Sequence, residues 1–80
     1  MQGKDVLYNG QVLTLTKYFG VPCLFIRNAS QISIPKMQFV GGYPNEYCIY
    51  ISDLTDQEKS RITDLNGKPF NLEEEISKLQ

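Results

Sequence analysis

Leu13 and Leu15 alternate with Val12, Thr14, Thr16 and Tyr18 in the clearest two-residue period of the chain. Successive side chains on a strand point to opposite faces, so this run predicts a strand whose leucine face is core. Val6-Leu7-Tyr8 precedes it, separated by Asn9-Gly10. Both of those residues tolerate positive φ, which predicts a hairpin closed by a type I′ turn. Phe19-Gly20 breaks the run, and residues 21–27 form a third apolar stretch with Pro22 at its start, where a missing N–H does little harm. Asn28-Ala29-Ser30 reads as a turn. Ile32 and Ile34 then alternate with Gln31 and Ser33, Pro35 interrupts, and residues 37–40 are expected to continue as an edge or bent strand. A loop at Gly41-Gly42-Tyr43-Pro44-Asn45 leads to residues 47–51, with Tyr47, Ile49 and Ile51 opposite Cys48 and Tyr50.

After Ser52 the period changes from strand to helix. Thr55-Asp56-Gln57-Glu58 has the form of a capping box, in which the threonine hydroxyl takes the fourth residue's amide and the glutamate reaches back, so a helix is predicted over 55–65. Leu54, Ile62 and Leu65 would give it a thin apolar stripe. Asn66-Gly67, followed by Pro69, reads as its stop. Asn71 is expected to cap a second helix, with Glu73, Glu74 and Glu75 at the positive end of its dipole, Lys78 in its last turn, and Leu72, Ile76 and Leu79 on one face.

These elements predict an α+β fold: a small antiparallel sheet, or a partly open SH3-like barrel, of four to five strands followed by two short C-terminal helices. The 80 residues form a single domain, β-rich over 1–51 and helical over 52–80, because a chain this short cannot sustain two cores. The likeness to SH3-like barrels is one of architecture and implies no function.

Composition narrows the chemistry more than the fold. There is no histidine and no tryptophan, and there are two cysteines. The commonest general base and metal ligand is therefore missing. Neither Cys23 nor Cys48 has the flanking cations that would support a thiolate; Arg27 is the nearest, four residues along from Cys23. Each lies in an apolar stretch, and buried reduced thiols are expected. Two thiols fall short of the four ligands of a structural zinc site. Asp64, Asn66, Gly67 and Glu73 match four positions of a calcium loop, but Ile62 stands at the first position and Pro69 at the eighth, so the match is accidental. Asp53, Asp56 and the glutamates of the second helix are solvated dipole partners rather than acid–base pairs, and Gly41-Gly42 lacks the flanking residues of a phosphate loop. The chain is read as non-enzymatic, with no catalytic residues, no metal and no cofactor.

Charge is split between the halves. Residues 1–50 carry four Lys/Arg against two acids (+2), and residues 51–80 carry four against seven (−3), for a total of −1. This is too weak a field for a dedicated nucleic-acid binder, though it could orient a partner or a second copy. Residues 1–5 lack the apolar core of a secretory signal, and no apolar run approaches the roughly 18 residues of a membrane span. A cytoplasmic chain without membrane contact is expected.

What stands out positively is aromatic content, with five tyrosines and four phenylalanines. Tyr43, Asn45, Glu46 and Tyr47, with Phe39 nearby, resemble the make-up of recognition loops, in which tyrosine supplies contact area at low entropic cost. The expected function is a small protein-binding or regulatory module, of the inhibitor or adaptor type found among phage and bacterial proteins, acting through this loop or through an uncovered sheet edge. The alternative is a nucleic-acid-binding β domain in which Lys17, Tyr18, Phe19, Arg27 and Lys36 place cations beside aromatics. Homodimerisation through strand edges is a third option.

Overall fold

A computed structural model describes residues 3–27, 34, 36–41 and 46–79, with Arg27 through its backbone alone. The expected turn at 28–30, the alternation at 31–33, and Tyr43 and Asn45 of the loop lie outside the described residues. Five strands, β1 (Lys4–Tyr8), β2 (Gln11–Tyr18), β3 (Val21–Arg27), β4 (Gln38–Gly41) and β5 (Glu46–Tyr50), form one antiparallel sheet in the order β1-β2-β3-β5-β4. The sheet is open rather than closed into a barrel, with β1 and β4 at its edges.

The β1–β2 turn has φ of 52° at Asn9 and 76° at Gly10, as a type I′ turn requires. The β2–β3 turn repeats it with 51° at Phe19 and 80° at Gly20. The two turns fix the register. Val6 pairs with Leu13, Leu15 with Leu24, and Leu24 with Ile49, which stacks the apolar alternates of four strands on one face. That face is the main core, where Val6, Tyr8, Leu13, Leu15, Leu24 and Ile49 are sealed by Ile34, Ile51, Leu54 and Ile62 and flanked by Phe70, Leu72, Ile76 and Leu79. Full burial of one such side chain is worth roughly 1.5–3 kcal/mol, so the core can hold so short a chain together. The opposite face carries a smaller buried cluster of Cys23, Phe25 and Cys48, bordered by Tyr18, Val40 and Tyr50. Thr16, on the polar side of β2's alternation, is buried there as well.

Downstream of β5 a 3-10 turn (Ile51–Asp53) leads to α1 (Asp56–Lys59) and α2 (Leu72–Ser77). The capping box is present: Glu58 N–H donates to Thr55 Oγ1 at 3.1 Å, and Thr55 N–H donates to Glu58 Oε1 at 2.8 Å. The helix it starts is much shorter than the expected 55–65. Thr63 instead exchanges both backbone hydrogen bonds with Leu7, its N–H donating at 3.0 Å and its carbonyl accepting at 2.9 Å. It also bridges to Pro69. An N–H given to a sheet edge is lost to a helix, and pairing β1's outer edge satisfies polar groups that would otherwise face solvent.

Asn66-Gly67 is correspondingly not a helix stop but the tip of a tight turn. The Asp64 carboxylate accepts from the N–H groups of Asn66 and Lys68, both at 2.9 Å, and Gly67 takes φ of 81°. These bonds account for aspartate and glycine here as turn residues. The α2 start agrees with expectation, with Asn71 Oδ1 accepting from Glu74 N–H at 3.1 Å. Lys4 on β1 reaches this segment, its Nζ lying 3.9 Å from Glu75 Oε1 and 5.7 Å from the centre of the Phe70 ring.

Candidate binding surfaces

Phe39 is the only large apolar side chain of edge strand β4 that turns strongly outward among the described residues; it is 61% exposed. Among the described residues, β4 pairs with β5 alone. A bulge between Phe39 and Gly41, where φ reaches 92°, bends its end. The strand-directed periodicity puts Phe39 across from Tyr47, and their rings meet edge to face at 5.5 Å. Tyr47 is in turn opposite Ile26. Tyr47 is therefore a half-buried residue of β5, as the strand expected over 47–51 has it, rather than part of the recognition loop it was also grouped with. Glu46 also belongs to β5, its backbone beside Arg27 and Gly41. Of the five residues expected to bind a partner, Phe39, Glu46 and Tyr47 are thus gathered at one corner of the sheet.

The alternative set is dispersed. Lys17, Tyr18 and Phe19 sit at the tip of the β2–β3 hairpin, whereas Arg27 ends β3, about 20 Å away for seven residues of strand. Lys36 is engaged elsewhere: its Nζ donates to the Asp53 carbonyl at 3.0 Å and to Glu58 Oε1 at 2.7 Å. It clips the start of β4 to the capping box of α1. The Lys36 charge is thus engaged by a carboxylate and a carbonyl of this chain.

The clip has an acid-sensitive side. Hydrogen bonding from Lys36, reinforced by the Thr55 N–H, lowers the Glu58 carboxyl from 4.5 to about 2. A folded-state value below the unfolded one contributes stability that is fully present above about pH 4.5 and is lost as pH falls through about 2. Thermal melts across that interval should fall more steeply for the native chain than for Glu58→Gln, which lacks the titrating group. Parallel curves would show that the clip contributes nothing.

On the second face, Cys23 and Cys48 are both free and fully buried. Cys23 opposes Tyr50 and Cys48 opposes Phe25, so the two thiols are diagonal neighbours on adjacent strands. Burial first, and the neighbouring Cys48 second, push Cys23 up to about 12. Burial likewise raises Cys48, against hydrogen bonds from Tyr50 and Cys23 that lower it. Tyr50 is raised by burial and then by Cys48. Groups held in their neutral forms this way pack well and react poorly. Iodoacetamide at mildly alkaline pH should leave both cysteines unmodified in the native chain while alkylating both in urea. Rapid native labelling of either would place that sulfur at the surface.

Phe19, already among the candidate residues beside the cations, has an exposure and backbone conformation that the sequence does not reveal. It is the most exposed large apolar side chain described, at 89%, and it occupies a left-handed backbone position. The available signal was a Phe-Gly pair where a hairpin of this length normally takes Asn-Gly. Among the described residues, no cluster of three or more Cys, Asp or Glu is arranged to hold a metal, and no helix is long and apolar enough to cross a membrane. No protein-family model, no curated protein and no solved structure matches the chain.

Proposed function

We propose that this domain is a non-enzymatic protein-binding module, of the inhibitor or adaptor type, that meets its partner at the corner formed by β4 and the start of β5. The single observation that carries this reading is Phe39, a large ring held on an edge strand by Tyr47 yet mostly open to solvent. Exposed aromatics fixed by a neighbour make efficient anchors, since little side-chain freedom is lost on contact. Glu46 supplies a charge at the same corner, and β4, an edge strand among the described residues, offers backbone groups to an incoming segment. The edge is short and bulged, features that limit indiscriminate strand pairing, so the reading favours a specific side-chain contact over open-ended strand addition.

The nucleic-acid alternative has less support, because the cations it needs are far apart or already paired. The test is capture from host lysate by immobilised native chain, Phe39→Ala and, as a surface control, Leu65→Ala. One protein retained by the native chain and the control but lost with Phe39→Ala supports the corner. Identical capture by all three rejects it. Retention that collapses with modest salt and with nuclease treatment would favour the alternative.

A further inference from the structure

The two hairpin turns of the sheet share one geometry but not one chemistry. Asn9-Gly10 supplies residues that accept positive φ readily. Phe19 at φ 51° does not, because a bulky L side chain in the left-handed region crowds its own backbone. Burial does not compensate, since the ring is 89% exposed. It is nonetheless held in place: Phe19 meets Tyr18 edge to face at 4.7 Å, and Tyr18 stacks at 5.9 Å on Phe25, which is buried in the second cluster. The chain thus presents a strained, braced and protruding ring, with Val21 also 41% exposed beside it. Residues 17–22 contain one cation, Lys17, and no acid. A local preference broken without burial to offset it points to a site kept for another purpose.

We propose that the β2–β3 tip is a docking knob: Phe19 enters an apolar pocket in a protein partner, and carboxylates on that pocket's rim face Lys17. The proposal rests on the binding reading above but uses a different surface from the β4 corner. A protruding rigid ring fits a concavity, and an acidic rim complements the only charge within residues 17–22. A lipid surface would gain little from one ring and one cation. Nucleic acid would need several phosphate contacts that the tip cannot supply.

The test places the photoreactive p-benzoylphenylalanine at position 19 in one preparation and at position 39 in another, with irradiation in host lysate. The expected result is a protein adduct from position 19 that maps to apolar residues flanked by Asp or Glu. Excess native chain should compete it away, whereas Phe19→Asn and Lys17→Glu should fail to compete. Phe19→Asn should at the same time raise the melting temperature by a few degrees, because asparagine suits the turn. Competition by Phe19→Asn as strong as by the native chain, an adduct with lipid, nucleic acid or a second copy of this chain, or no adduct at position 19 overturns the knob. A lowered melting temperature for Phe19→Asn also overturns it, by removing the strain on which it is built. An adduct from position 39 without one from position 19 sinks the knob while leaving the β4 corner standing; the reverse result sinks the corner and supports the knob.

Discussion

Leu24→Ala is expected to lower the free energy of unfolding by about 3–4 kcal/mol, within the range for large-to-small changes at buried leucines. Leu24 lies on the middle strand of the five, is fully buried, and sits between Leu15 on β2 and Ile49 on β5. Truncation there removes contacts to both neighbours and leaves a void that neither strand can close without breaking register. A domain of 80 residues has roughly 4–12 kcal/mol in total, so the variant loses a large share of its stability. Urea denaturation provides the measurement, as a lowered midpoint at unchanged slope. The half-exposed Val12→Ala, on the other face of β2, should stay within about 0.5 kcal/mol and serves as the control. Equal losses for the two would mean that the leucine face of the sheet is no more tightly packed than the face carrying Val12.

Much of the sheet is readable from the sequence because its signals are short-range. Asn9-Gly10 sets a hairpin by local dihedral preference, and the leucine alternation then decides which face is core. The capping box and the Asn71 cap were legible for the same reason, as each is a hydrogen bond spanning three residues. The length of α1 was not. Whether residues 60–65 stay helical depends on a competitor for the Thr63 N–H, and that competitor is Leu7, on the other side of the molecule in sequence terms. Periodicity within one window cannot register such an edge.

The candidate site divides along the same line. Aromatic enrichment was visible in composition, and Phe39 and Tyr47 do come together, because the β4–β5 register sets them opposite one another. The charge of Lys36 was visible too, but not its commitment to Glu58 and the Asp53 carbonyl across 22 and 17 residues of chain. Sequence reading thus overestimated the free cations near the aromatics. Phe19 was grouped with those cations from the sequence, but its strain is not readable there, because the anomaly is conformational and appears only once the second hairpin is known to share the geometry of the first.

The contrast between Ile62 and Leu65 tests the largest of these corrections. On a continuous helix over 55–65 the two would be neighbours on one face, three residues apart, and truncating either would cost a similar amount. With the chain turning out of α1 to pair with β1, Ile62 is 3% exposed and belongs to the main core, while Leu65 is 52% exposed at the start of the Asp64 turn. Ile62→Ala should therefore destabilise by about 2–4 kcal/mol and Leu65→Ala by less than about 0.5 kcal/mol. The Ile62 loss should carry a second signature. Removing the side chain that seats this segment on the sheet loosens the Thr63–Leu7 pair, so the amide of Leu7 should exchange with solvent faster than the loss of global stability alone predicts. Comparable costs at the two positions, with Leu7 protection unchanged, would restore the longer helix and free β1's outer edge. The C-terminal segment would then hold to the sheet by side chains alone.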